Sequence, residues 1–333
     1  MKAFIIDRYK SKNGGRITET AEPELRENDV LVQVHAASIN LLDSKISAGE
    51  FKIILPYTLP LILGNDVAGV ITKVGSRVRR FKPGDEVYAR PDKDRIGTFA
   101  EFISMDEKDV AIKPKNLTME EAASIPLVGL TAWQALIEKG NLKKGQKVFI
   151  QAGSGGVGTF AIQLAKHLGA IVATTTSSAN TELVKSLGAD IVIDYKKNDF
   201  ETILRDYDLV LNSQDAKTLE KSLRILKPGG KLISISGPPD PDFANEIGLP
   251  WFMKLIVRLL SAGVRKKARR LRVGFSFLFM RAEGEQLSKI TSLIEAGIIR
   301  PVMDKVYPFE ETHEAIKYVE SGRAKGKVVV RIK

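Results

Sequence analysis

The six residues Gly153-Ser154-Gly155-Gly156-Val157-Gly158 constrain the fold of this 333-residue chain more than any other feature. They fit G-x-G-x-x-G, a pattern that is weak alone and acquires meaning between a strand and a helix. Lys147–Ala152 reads as that strand. Gly158–Leu168 carries apolar residues at helical spacing and reads as that helix. In this setting Gly153 permits the tight turn, Gly155 lets the backbone approach a pyrophosphate, and Gly158 lets helix and sheet pack closely. The helix N-terminus then offers free N–H groups and the positive end of its dipole to the phosphates. A plain glycine turn is the alternative, and the flanking strand and helix weigh against it.

The surroundings set the fold class. Ala170–Thr175, Ile191–Asp194, Leu209–Asn212 and Lys231–Ser236 read as further strands, with a helix over Thr181–Leu187. This alternation predicts a parallel sheet with helices on both faces, an α/β domain. The first third is different. Met1–Asp7, Val30–Ala36, Asp66–Val74 and Glu86–Ala89 are short strand-like runs, and Phe81-Lys82-Pro83-Gly84-Asp85 is a turn. They predict a β-rich barrel or sandwich. Thr118-Met119-Glu120-Glu121 has the capping hydroxyl and early acids of a helix start, and Thr131–Glu138 continues in helical style. The tail adds a helix at Glu283–Ala296 and a last strand at Val328–Ile332.

An NAD site usually carries an acid about twenty residues beyond the glycine turn, bonded to the ribose 2′-hydroxyl. Here that stretch is Thr174-Thr175-Thr176-Ser177-Ser178-Ala179-Asn180. No acid opposes a 2′-phosphate, and hydroxyls, Thr175 and Ser177 among them, are available to bond it. NADPH is the expected cofactor.

Cysteine is absent, which excludes disulfides, thiolate nucleophiles and cysteine-held zinc. The three histidines, His35, His167 and His313, are far apart in sequence, and no metal is expected. Met1–Asp7 is too short for a signal peptide or a membrane span, so the expected location is cytoplasmic. Of the net charge of +11, eight positives fall between Lys254 and Arg272 with no acid among them, leaving +3 for the rest of the chain. Pro250–Val264 is apolar, with Lys254 and Arg258 four apart, before the charges cluster. The segment reads as a solvated helix covering an edge of the dinucleotide domain or lining a substrate entrance. An amphipathic helix at an anionic membrane or a nucleic acid is the competing reading; contact with a membrane surface is kept as the lesser possibility and nucleic acid is not expected.

The chain resembles the medium-chain dehydrogenase/reductase superfamily, in its zinc-free quinone and enone reductase branch. The resemblance runs in order from Gly64-Asn65-Asp66-Val67-Ala68-Gly69-Val70, where zinc-dependent relatives have glycine-histidine-glutamate, through Val74-Gly75 and Phe81–Val87. It continues with Ala122-Ala123-Ser124-Ile125-Pro126, Gly129-Leu130-Thr131-Ala132, the glycine turn, Lys185–Asp190 and Leu226-Lys227-Pro228-Gly229-Gly230. It ends at Gly322-Arg323-Ala324-Lys325-Gly326-Lys327-Val328-Val329. Such a likeness implies a GroES-like catalytic domain over 1–126, completed by 275–333, a Rossmann NADPH-binding domain over 127–274, and a homodimer.

The same resemblance implies roles residue by residue. Asn40 is similar to an asparagine beside the nicotinamide ribose, and Asp43 falls near a cysteine ligand of the zinc relatives. Thr131 resembles a residue flanking the nicotinamide. Tyr195 and Arg323 resemble contacts to the 2′-phosphate, and Phe277-Leu278-Phe279 resembles the stretch whose backbone holds the carboxamide. A lysine common after the second strand of quinone reductases has no counterpart among the threonines and serines. Without a Lewis acid, alcohol oxidation is disfavoured. Hydride delivery to a quinone or to the C=C bond of an α,β-unsaturated carbonyl needs only positioning, exclusion of water and donors for the developing oxyanion. Asn40 and Tyr57 are the candidate donors. The rival reading is a non-catalytic NADPH-binding sensor or interaction protein that uses the basic segment 254–272.

Overall fold

The structure, a computed structural model, describes residues 1–11 and 14–333. The chain divides into two compact units. The first joins Met1–Leu130 to Arg281–Lys333, and the second is Thr131–Met280.

The first unit begins with strands β1 (Lys2–Ile6), β2 (Arg16–Glu19), β3 (Asp29–Ile39), β4 (Leu61–Ile62), β5 (Val67–Val74), β6 (Glu86–Ala89), β7 (Phe102–Asp106) and β8 (Val110–Ile112). The second unit contributes β9 (Lys147–Ile150), β10 (Ile171–Thr176), β11 (Ile191–Asp194), β12 (Tyr207–Asn212), β13 (Leu226–Ser234) and β14 (Gly274–Phe277). The chain then returns to the first unit for β15 (Met303–Pro308) and β16 (Lys327–Arg331).

In the first unit β1 pairs antiparallel with β2 and β4, making a small sheet. The larger sheet runs β15-β16-β3-β5-β6-β8, with β7 also paired to β3. The eleven-residue β3 lies at its centre and is buried along both faces, as its run of Val, Leu and Ala allows. Phe4, Val32, Val67, Ile71, Phe99 and Val328 pack into one apolar core. This is the β-rich, GroES-like unit expected from the sequence.

The second unit is a six-stranded sheet in the order β11-β10-β9-β12-β13-β14, with every pair parallel. That order reverses direction between β9 and β12, the doubly wound Rossmann arrangement, whose ligands bind beyond the carboxyl ends of the strands at the switch point. The glycine turn leaves the carboxyl end of β9. Phe149 on β9 meets Phe200 at 4.8 Å between ring centres, and Tyr207, Leu219 and Leu232 close the core around them.

Three details differ from the sequence reading. The strand expected over Lys147–Ala152 stops at Ile150, because Ala152 turns the chain at φ 49°. The division expected at 274/275 falls inside β14, which the backbone ties to β13, so the second unit extends to Met280. The apolar segment 250–264 is not one helix: it forms Trp251–Leu260, ends at Ser261, and restarts as Ala262–Arg270.

Candidate functional site

Ala152 opens the glycine turn in the left-handed region, which a residue with a Cβ adopts at a cost of about 1 kcal/mol. The neighbouring strand holds it there. The Ala152 N–H donates to Thr175 Oγ1 at 3.2 Å, and the Gly153 N–H donates to Thr175 O at 2.9 Å. Thr174 Oγ1 donates to Ile150 O at 2.6 Å, and Thr176 Oγ1 to Ser154 Oγ at 2.9 Å. The three threonines of β10 are therefore buried beneath the turn and shape it. Thr175 is part of this scaffold; beyond it Ser178 Oγ donates to Asp194, and the next hydroxyl of the loop is that of Ser177.

The glycines divide by what a side chain would meet. A Cβ on Gly153 would lie 2.1 Å from Thr174 Oγ1, and one on Gly158 would lie 2.3 Å from Ala152 O. Both positions are closed by the packing of helix on strand. A Cβ on Gly155 would meet only Ala152 O, at 3.3 Å, and otherwise open space. Gly155 also precedes the helix Gly156–His167, whose N-terminus no side chain caps. The first-turn N–H groups, including those of Gly156 and Val157, thus face an open cradle, as a pyrophosphate requires.

Next along the sheet edge, Tyr195 follows β11, exposed, and its N–H donates to Thr176 O at 3.2 Å. This places it beside the Ser177–Asn180 loop. The nearest acid, Asp194, is engaged. Ser178 Oγ and the Lys196 N–H both donate to it, and Lys197 Nζ lies 3.9 Å away. Those hydrogen bonds, from Ser178 first, hold its carboxyl below the usual range.

Phe277 and Leu278 sit at the end of β14. The Phe277 N–H donates to Asp240 Oδ2 and the Leu278 N–H to Ser234 O, both at 2.8 Å. Phe243 packs edge-on against Phe277 and at a tilt against Phe279, fixing the stretch. Thr131 is buried in the helix Pro126–Trp133.

The first unit holds a buried polar cluster at the ends of β3 and β16. Asp66 Oδ2 accepts from Ser38 Oγ at 2.7 Å and from Asn40 Nδ2 at 2.9 Å, and its Oδ1 accepts from the Leu127 N–H at 2.7 Å. Lys327 Nζ stands 3.2 Å from Asp66 Oδ2 and also donates to Asn40 Oδ1 and Ile39 O. Asp43 accepts from the Asn40 N–H at 2.7 Å and from Asn65 Nδ2 at 2.8 Å. Burial pushes the Asp43 carboxyl up to about 7, against those two hydrogen bonds. Both amide hydrogens of Asn40 are engaged, since Nδ2 also donates to Ser38 O at 3.3 Å. Its Oδ1 accepts from Lys327 Nζ.

Tyr57 stands apart from this cluster in its hydrogen bonding. Its hydroxyl donates to Lys93 O at 2.7 Å, and burial pushes its pKa up. Arg323 is exposed in the turn before β16.

Comparison with known proteins agrees with this anatomy. Residues 26–115 match the family described as alcohol dehydrogenase GroES-like domain, and residues 187–330 match the one described as zinc-binding dehydrogenase. The 2-methylene-furan-3-one reductase of Solanum lycopersicum is 36% identical over 99% of this chain and 79% of its own. The chain belongs to the medium-chain dehydrogenase/reductase superfamily. Another member, the chloroplastic NADPH-dependent alkenal/one oxidoreductase of Arabidopsis thaliana, is 34% identical with the same coverage. The solved quinone oxidoreductase of Coxiella burnetii superposes with a TM-score of 0.88 at 30% identity, covering 100% of this chain and 99% of that one.

The chain has no cysteine, and among the described residues no three His, Asp or Glu side chains come together in a way that could hold an ion. The cluster at Asp66 already contains its cation, the Lys327 ammonium. Sequence reasoning missed Lys327, Ser38 and the role of Asp66. The run Gly326-Lys327-Val328-Val329 was visible, but its lysine acquires meaning only once β16 is paired with β3. Lys196 and Lys197 were also missed. They directly follow Tyr195, where the Lys196 N–H and Lys197 Nζ both face Asp194.

Proposed function

We propose that the protein is an NADPH-dependent reductase that works without a metal and delivers hydride to a quinone or to the C=C bond of an α,β-unsaturated carbonyl. The observation that carries this reading is the Lys327 ammonium buried against Asp66 and Asn40, in the stretch where zinc-dependent relatives keep ligands. A fixed ammonium satisfies the carboxylate and leaves no group to acidify an alcohol. The acceptor must then be electrophilic already. The names of the tomato and Arabidopsis relatives, a 2-methylene-furan-3-one reductase and an NADPH-dependent alkenal/one oxidoreductase, support the same class.

NADPH, when bound, supplies the hydride. The chain's own part begins at Gly155, Gly156 and Val157, whose backbone would hold the pyrophosphate, with Ser154 fixed by Thr176 and Asn180 beneath it. Ser177 and Tyr195, with Lys196 and Lys197 adjacent, would receive the 2′-phosphate. Asn40 acts as a positioning residue, because its amide hydrogens are spent on Ser38 O and Asp66 and its Oδ1 accepts from Lys327. Tyr57 is likewise engaged at Lys93 O, so the proton that completes the reduction comes from solvent. The protein is taken to be cytoplasmic. No helix among the described residues is long and apolar enough to cross a membrane. It is also taken to be a homodimer, a state that light scattering after gel filtration tests.

The direct test follows the loss of NADPH absorbance with a quinone, an enal and an enone. Turnover with at least one is expected. Tight NADPH binding with no turnover would favour the sensor reading instead. NADPH should exceed NADH in kcat/KM by at least about tenfold, a ratio in the range of one charge-assisted contact. Equal efficiency would remove the 2′-phosphate assignment.

A further inference from the structure

The helix Trp251–Leu260 buries only Val257. Trp251, Phe252, Leu255, Ile256, Leu259 and Leu260 are all exposed, by 47% to 78%. At about 100° per residue these six cover roughly half of the helix circumference, on the side away from Val257. Lys254 and Arg258 flank that face. The next helix, Ala262–Arg270, buries Ala268 and turns Lys266, Lys267, Arg269 and Arg270 outward, with Arg272 following. Arg265 Nη2 donates to Arg258 O at 3.0 Å and so ties the two helices together. Among the described residues only Lys267 of the eight cations in this segment pairs with an acid, Glu220.

The sequence reading of a solvated face fits the second helix and fails for the first, which exposes carbon. A contiguous apolar face of this size on a soluble domain marks an interaction site. Charge selects the occupant. A second copy meeting the same face across a two-fold axis would set eight cations against eight. A nucleic acid would match the charge and stack on Trp251 and Phe252, but it would leave the aliphatic Leu255, Ile256, Leu259 and Leu260 without an apolar partner. An anionic bilayer matches both parts: aromatic and aliphatic side chains enter the headgroup boundary while the cations lie over the phosphates.

We propose that Trp251–Arg272 docks the protein on an anionic membrane surface. The inference does not depend on the reductase reading. Its test is co-sedimentation of the full chain with vesicles of phosphatidylcholine alone and with about 30% phosphatidylglycerol, a content giving several charges per footprint. Binding to the anionic vesicles at least about tenfold above neutral ones is expected, weakening with salt. Trp251 emission should shift to the blue on binding, and Trp251→Phe should abolish that shift. The Leu255→Glu/Leu259→Glu and Lys266→Glu/Arg269→Glu/Arg270→Glu variants change only exposed side chains. Each should lose at least about tenfold in vesicle affinity with thermal midpoint and NADPH affinity unchanged.

No binding to anionic vesicles by the wild-type chain, with no shift of Trp251, would overturn the proposal without needing a variant. So would undiminished binding by both variants. Dissociation of a dimer by the leucine variant, with vesicle binding intact, would assign the face to self-association. Retention of duplex DNA by the leucine variant, with no vesicle binding by the wild type, would assign it to nucleic acid.

Discussion

At Asp43, burial and hydrogen bonding oppose each other. Its carboxyl is fully enclosed, its two oxygens accept from Asn40 and Asn65, and burial raises it from the ordinary 3.8 to about 7. Between roughly pH 4 and 7 the folded chain thus keeps a proton that the unfolded chain has released. Stability from this group falls as pH rises through that window, by about 1.4 kcal/mol per pH unit at most. Denaturant titrations at several pH values should show that slope in the wild type relative to Asp43→Asn, which removes it. Lys327→Met leaves Asp66 buried without its cation and should cost about 3–5 kcal/mol, with Asp66→Asn restoring part of the loss in the double variant. The glycine turn makes a paired prediction. Gly158→Ala drives a Cβ against Ala152 O and Gly153 Cα and should destabilise the fold by about 1–3 kcal/mol. Gly155→Ala meets little protein, so the thermal midpoint should hold while NADPH affinity falls at least about tenfold. The turn was legible in sequence because its three glycines are local. Lys327 was not, because a lysine in a strand ordinarily faces water and its partners Asp66 and Asn40 lie 261 and 287 positions away.

Elements repeat this contrast between local and distant causes. The apolar strands β9, β10 and β12 read directly as buried parallel strands. The polar end of β10 read as a phosphate-binding stretch, whereas the structure commits Thr174, Thr175 and Thr176 to the turn beneath it. A period-2 argument does not reveal that, because the hydroxyls bond to another segment's backbone. Strand β14 was missed for a related reason. Its four residues carry little pattern, and Asp240 joins it to the rest by accepting from the Phe277 N–H and capping the next helix at Phe243. Asp240→Ala removes both bonds and should cost about 1–3 kcal/mol in denaturant unfolding. The helix break at Ser261 was also illegible. Ser261 is buried and its hydroxyl donates to Val257 O at 2.9 Å, and that packing ends the first helix where propensity alone would not.

The whole molecule combines a β-rich unit, which holds a carboxylate–ammonium cluster, with a doubly wound unit, which presents an uncapped helix N-terminus above Gly155. Both units were legible from strand rhythm and family resemblance. The choice of chemistry depends on which polar groups are already spent, and only the three-dimensional pairing shows that. The central claim is direct hydride transfer from NADPH to an activated carbon with no metal in the step. The most direct measurement uses NADPH deuterated at nicotinamide C4, each face in turn, with an enone acceptor and chelator-treated protein. One of the two labels should appear as a single deuterium at the β-carbon of the product, at a rate the chelator leaves unchanged. Product carrying neither label, or activity lost to the chelator and restored by added zinc, would contradict it.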